Sequence, residues 1–294
     1  MKRVFPIVIL ALLIVLSGPA SAQSEAADHF RTGAQQLAAG RLDEAISSFQ
    51  KGVALKPDAK EGWYNLGIAY GRKRQFDQEV QAYRKALELD PNYVNALHNL
   101  GLALRDLGRK DEAAEAFEKT VGLDPSAADA WNNLGVLRLE RGDPAGAIAA
   151  FRKAAEADPS SADPWFNLGT AQMQAAEKET SSARQEPRLR EAVQSFEQAL
   201  ARNPKHYRAA YNQGVAYHRL AEFSNEIAAY RKALQARPDY AEALYNLGAV
   251  LSAERRTDEA IRTWEEYLRV ASSDPNERPF VENARKEVER LKGL

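Results

Sequence analysis

The chain contains no cysteine. Disulfides, thiol nucleophiles, thiolate metal sites and lipid attachment to an N-terminal cysteine are therefore excluded, and packing has to supply the stability. A charge excess of one sign is also missing. The formal net charge is −1, from 40 basic and 41 acidic residues, and loss of Lys2 and Arg3 would make it only slightly more negative. That balance offers no bulk attraction to nucleic acid or anionic lipid, and neither is expected as a partner. Past the first two dozen residues no long apolar run occurs, so no membrane insertion is expected from the remainder. The sequence also lacks a Walker glycine loop, a Gly-x-Ser-x-Gly elbow and a His-Glu-x-x-His pair. His29, His98, His206 and His218 are scattered over different segments. The chain reads as a non-enzyme with no catalytic residue, metal ligand or cofactor.

What is present begins with an address. Lys2 and Arg3 precede an apolar run from Ile7 to Leu16; Ser17, Gly18 and Pro19 break it, and Ala20-Ser21-Ala22 offers the small residues of a cleavage site. The run is shorter than the roughly 20 residues that span a bilayer as a helix. Residues 1–22 are thus expected to be a signal peptide, with export across an inner membrane, a bacterial periplasmic location and a mature chain starting at Gln23.

The full sequence is 45% hydrophobic and 28% charged, enough apolar material for a folded body. Its organisation is periodic. Pro57, Pro91, Pro125 and Pro159 recur at intervals of 34 residues. Within one interval stand Trp63, Leu66, Gly67, Tyr70, Tyr83, Ala86 and Pro91, a pattern of two antiparallel helices per unit. On these residues the chain resembles the tetratricopeptide repeat (TPR) family over nearly all of its mature length. The resemblance implies an all-α fold, a right-handed superhelical α-solenoid. Seven units occupy 26–59, 60–93, 94–127, 128–161, 162–206, 207–240 and 241–275, followed by a capping helix over 276–294.

Three columns of the repeat have mechanical readings. Gly33, Gly67, Gly101, Gly135, Gly169, Gly214 and Gly248 leave out a side chain where two helices approach. Ala45, Ala113, Ala147, Ala192 and Ala260 are small residues on the second helix, replaced by Glu79 and Glu226 in two units that should pack more loosely. One turn beyond, Phe49, Tyr83, Phe117, Phe151, Phe196, Tyr230 and Trp264 form an aromatic core series. Asp43, Asp77, Asp111, Ser224 and Asp258 stand at or near second-helix starts, where they would cap backbone amides.

Two departures interrupt the period. From Pro159 to Pro204 the interval is 45 residues, so the fifth unit carries 11 extra near 175–190, which either lengthen its helices or project a loop. At the C-terminus, Phe280, Val281, Ala284, Val288 and Leu291 recur at helical spacing and are expected to cover the last apolar face.

The family's first helices line a concave groove that receives peptides. Two residues before each repeat glycine stand Arg31, Asn65, Asn99, Asn133, Asn167, Asn212 and Asn246. An amide offers two donors and an acceptor, so a row of asparagines can grip peptide backbone irrespective of sequence. The row resembles the asparagine ladder in the TPR superhelix of O-linked N-acetylglucosamine transferase, without a catalytic domain following it here. Local backbone capping is the competing reading. Beside it run Phe30, Tyr64, His98, Asn132, Phe166, Tyr211 and Tyr245, which either form side-chain pockets or pack between helices. Glu61, Asn95, Asp129, Asp163, Arg208 and Glu242 mark first-helix starts, where acids suit the helix dipole. The lysines of the family's carboxylate clamp are missing. The expected function is a scaffold or adaptor for an extended protein segment. A structural module of a secretion, pilus or cell-wall complex, or a substrate-presenting subunit of an envelope enzyme, are the alternatives, and the oligomeric state stays open.

Overall fold

A computed structural model describes residues 20–274 and 277–293. The expected signal segment lies outside the described residues except for its last three, where the first helix begins. Among the described residues all extended regular structure is helical. The helices are α1 (Ala20–Ala38), α2 (Leu42–Leu55), α3 (Lys60–Arg72), α4 (Phe76–Leu89), α5 (Val94–Asp106), α6 (Lys110–Leu123), α7 (Ala128–Glu140), α8 (Pro144–Ala157), α9 (Asp163–Glu177), α10 (Ser182–Arg202), α11 (Tyr207–Arg219), α12 (Phe223–Ala236), α13 (Ala241–Ala253), α14 (Thr257–Ala271) and α15 (Arg278–Lys292). Odd- and even-numbered helices up to α14 form the helix hairpins of the repeat. The chain divides into two compact units between Leu134 and Gly135, inside α7.

In unit 1, α1 packs on α2, α3 on α4 and α5 on α6, and α2–α3 and α4–α5 join successive hairpins. Phe49, Tyr83 and Phe117 are fully buried. A Cβ placed on Gly33, Gly67 or Gly101 would come within 2.9, 2.5 and 2.7 Å of those rings. The glycine is therefore the recess that holds the second helix's aromatic ring, and its helix-propensity cost of about 1 kcal/mol is offset by burying a whole ring. Unit 2 repeats the device with Gly135 and Phe151, Gly169 and Phe196, Gly214 and Tyr230, and Gly248 and Trp264, all closer than 3 Å to such a Cβ.

Hairpin turns close with left-handed residues. After α5, Gly108 has φ +74, its N–H bonds to Arg105 O at 2.9 Å and the Arg109 N–H reaches Leu104 O at 2.8 Å, the double closure of a Schellman turn. Arg74, Ala221 and Arg255 hold the equivalent place with φ of 63, 56 and 59, a conformation that costs L-residues about 1 kcal/mol.

Three expectations need correcting. The acids at second-helix starts are not the caps: the N-cap residues of α2, α4, α6, α12 and α14 are Arg41, Gln75, Arg109, Glu222 and Arg256, none with a side-chain cap bond. Asp43, Asp77, Asp111 and Asp258 sit inside the first turn, where they act through the helix dipole. Asp143 does cap α8, accepting from Gly146 N at 2.9 Å. Secondly, Glu79 and Glu226 are packed as tightly as the alanines, 0% and 2% exposed. A Cβ on Gly71 would lie 2.5 Å from Glu79 Oε1, so the preceding helix is hollowed to admit the longer side chain; Glu226 lies 3.1 Å from His218 Nδ1. Thirdly, Phe280 is 48% exposed. Val281 and Ala284 carry the buried face of α15, with Val288 and Leu291 packed beside them, and Phe280 is rotated about 100° off that stripe.

The 11 extra residues lengthen helices: α9 and α10 reach 15 and 21 residues, against 13 and 14 for α5 and α6. The extension is fastened by Arg190 to Glu222 (2.9 Å), Arg219 to Glu177 (3.1 Å) and Lys178 to the Gly142 carbonyl.

Candidate functional site

The asparagine column lies on odd-numbered helices because each residue is two before the repeat glycine, rotated away from the ring that the glycine admits. Its members are not equivalent. In unit 1, Asn99 is 5% exposed and donates Nδ2–H to Tyr64 Oη at 3.1 Å. Asn133 is buried, donates to Asp129 O at 2.8 Å and accepts from the Arg105 guanidinium. Asn65 is half-buried and has no hydrogen-bond partner among the described residues. In unit 2, Asn246 donates to Tyr211 Oη at 3.1 Å, and Asn167 is half-buried on α9. Asn212 is half-buried and, among the described residues, has no hydrogen-bond partner.

The residue 35 positions earlier explains both Tyr–Asn bonds. Tyr64 and Tyr211 present a phenol oxygen to the asparagine of the next hairpin. Asn65 follows the hairpin of Phe30 and Asn212 that of Phe166, whose rings carry no acceptor. The adjacent aromatic column is thus partly an inter-repeat fastening. Phe30 and Tyr64 are buried, 6% and 3% exposed, and Asn132 is buried at 8%. His98, Phe166, Tyr211 and Tyr245 are half-buried. Tyr245 Oη accepts from Asn283 of α15 at 2.8 Å, so the terminal helix continues the same fastening. Burial pushes the Tyr64 and Tyr211 phenols up, with the asparagine bond opposing. Burial holds the His98 imidazole below its ordinary value, which leaves it neutral at pH 7; its ring meets Phe117 edge-on at 5.7 Å.

Sequence reasoning placed the asparagine row but missed this division of labour. The signal was available: a tyrosine rather than phenylalanine in the previous repeat's aromatic column. It also missed a cavity of about 840 Å³ in unit 1 between α2, α3 and α4, floored by Val53, Trp63, Leu66 and Tyr70. Charges on its rim are internally matched, Lys85 to Glu88 at 2.6 Å and Arg84 to Glu112 at 2.7 Å.

Tandem helix hairpins with a glycine–aromatic lock and a polar column on each first helix define a helical-repeat protein-interaction fold of the α-solenoid class. The chain belongs to the tetratricopeptide repeat family: family models match residues 32–94, 98–162, 178–241 and 229–262. No curated protein matches the sequence. Among solved structures, a MamA protein is 26% identical, with a TM-score of 0.55 over 62% of this chain and 94% of its own. The C-terminal part of a TPR protein from Cytophaga hutchinsonii is 15% identical, with a TM-score of 0.70 over 88% and 99%. YrrB, described as a TPR protein with an unusual peptide-binding site, is 23% identical, with a TM-score of 0.57 over 67% and 96%. The family is one of protein-interaction scaffolds, and no enzyme is named among these neighbours.

Proposed function

We propose that this chain is an extracytoplasmic adaptor that holds an extended segment of another protein against its first helices. In unit 1 its polar positions are Asn65, Asn99 and Asn133, beside Tyr64 and His98; in unit 2 they are Asn167, Asn212 and Asn246, beside Phe166, Tyr211 and Tyr245. The observation that carries the reading is the pair of half-buried, unpartnered amides, Asn65 and Asn212, one in each compact unit. A half-buried amide without a protein partner retains both donors and its acceptor for a peptide bond, and it loses less solvation on binding than an exposed one. Asn99 and Asn246 each give Nδ2–H to a tyrosine of the preceding hairpin and are the less available members of the column. The export address comes from the Lys2–Ala22 pattern, and the asparagine row is similar to the ladder of the transferase superhelix.

The test is a crosslinked capture from the envelope fraction, comparing the intact chain with Asn65→Ala/Asn212→Ala after matching helicity. Loss of a specific captured protein supports the reading and names the ligand. Undiminished capture places the contact elsewhere, on the α9–α10 extension or the α2–α3–α4 cavity.

A further inference from the structure

In unit 2 the first-turn position of successive odd helices reads Asp163 on α9, Arg208 on α11 and Glu242 on α13. Arg208 breaks an acidic pattern that suits the helix dipole, so its local electrostatics are unfavourable. It is exposed and, among the described residues, has no ion-pair partner. Its Nε donates to Tyr207 Oη at 3.1 Å, and its guanidinium lies 5.7 Å from the Tyr207 ring centre. Arg237, the C-cap of α12, donates Nη1–H to the same oxygen at 3.0 Å. It also packs 5.0 and 5.6 Å from the Tyr207 and Tyr240 rings. Tyr240 in turn meets Tyr207 edge-on at 4.9 Å and Tyr211 at 5.1 Å. Two guanidinium groups therefore converge on one phenol inside an aromatic frame. Burial pushes the Tyr207 phenol up, and the two arginine bonds outweigh it and hold it below the usual range.

A neutral phenol oxygen accepts both N–H groups but cancels neither charge. Arg237 has Asp239, to which its Nε donates at 3.2 Å. Arg208 has no such counter-charge, and its two Nη groups remain as a planar fork of the geometry that takes a carboxylate through two parallel bonds. One helical turn on, at i+4 and on the same face of α11, stands Asn212, the unpartnered amide of this unit.

We infer that Arg208, braced through Tyr207 and Arg237, is a carboxylate-accepting subsite that takes an Asp or Glu side chain of the segment whose backbone Asn212 holds. The inference rests on the adaptor reading and adds a side-chain preference to it. Asp239, bonded to Arg237, is the acid tied to this cluster, and it repels a phosphate dianion more than a singly charged carboxylate. The flat fork and the adjoining tyrosine faces suit a planar group.

Two measurements test it. In the capture experiment, Arg208→Glu restores the residue type of the neighbouring helices and is expected to fold. It should lower recovery of the captured protein about tenfold or more, the size of losing one charge-assisted pair. Recovery lost in Asn65→Ala/Asn212→Ala but unchanged in Arg208→Glu overturns this inference alone; recovery unchanged in both overturns the adaptor reading beneath it. Independently, the isotope-labelled full chain is titrated with N-acetylglutamate N-methylamide, its glutamine counterpart and inorganic phosphate. The Arg208 Nε–Hε and Asn212 side-chain resonances should move together with the glutamate probe, and the Arg208 signal should stay still with the glutamine probe. Equal Arg208 shifts with both, or a larger response to phosphate, would refute a carboxylate subsite.

Discussion

Asn246 Nδ2 donates to Tyr211 Oη at 3.1 Å across 35 residues, and Asn99 makes the same bond to Tyr64 at the same length. The recurrence in two separate units makes it a property of the repeat rather than of one local environment. It sets a rule: a tyrosine in one hairpin consumes an amide in the next, and a phenylalanine leaves it available.

The rule is reversible by single atoms. Phe166→Tyr should give Asn212 an acceptor, leave thermal stability unchanged or slightly raised, and reduce capture of the bound protein. Tyr211→Phe should remove the shorter of Asn246's two tyrosine bonds, leaving the one to Tyr230 Oη at 3.5 Å, and cost about 0.5–1.5 kcal/mol, the net worth of one intramolecular hydrogen bond. Denaturant melts paired with capture assays report both halves; a Phe166→Tyr variant that captures normally would break the link between the rule and binding.

Gly135 lies 2.6 Å, by its missing Cβ, from the Phe151 ring. Gly135→Leu should cost about 1–3 kcal/mol or more by overpacking. Because repeat stability is shared between neighbours, the loss should appear as a lowered and broadened melt rather than a uniform shift. A wild-type melting curve would contradict the glycine–aromatic lock.

Glu226 gives a pH signature. Burial pushes its carboxyl above the ordinary value, with His218 opposing. The folded state then holds the proton more strongly than the unfolded chain. Its contribution to stability is present at low pH and is lost as pH rises through the folded value. Glu226→Ala, which installs the residue found at four of the sister positions in the hairpins beyond the first, removes that slope. Relative to this variant, the intact chain should be more stable near pH 4.5 than near pH 8, as chemical denaturation at the two pH values would show.

Helix-start residues separate into two classes. Asp143→Ala removes a side-chain cap and should cost about 1 kcal/mol. Asp43→Ala and Asp77→Ala, lying within the first turn, should cost about 0.3–1 kcal/mol and lose that effect in high salt. Equal, salt-insensitive losses at all three positions would show that the acids cap after all.

The repeat, its helix pairs, the aromatic core series and the asparagine column were legible in the sequence. Each depends on residues at fixed spacing along one chain, and a 34-residue period puts like residues in like places. Phe280 was misjudged by a single position of helical phase, about 100°, which decides whether a side chain faces the core or water, and the Asp43-type residues lie two positions beyond the N-cap, inside the first turn.

What the sequence determined alone was therefore everything periodic: the fold class, the ring that fills each glycine recess, and which helix face carries amides. The tertiary structure decided what those groups do with one another. Asn99 and Asn212 are the same residue type at the same repeat position, yet one is bonded and buried while the other keeps its hydrogen-bonding capacity, because Tyr64 and Phe166 differ by one hydroxyl in the preceding hairpin. Likewise Arg208 and Arg237 are 29 residues apart in sequence and converge on Tyr207 only through the packing of α11 and α12 with the turn that follows. Hydrogen bonds are short-ranged and directional, so such pairings depend on the distance between side chains in space, which periodicity along the chain does not specify.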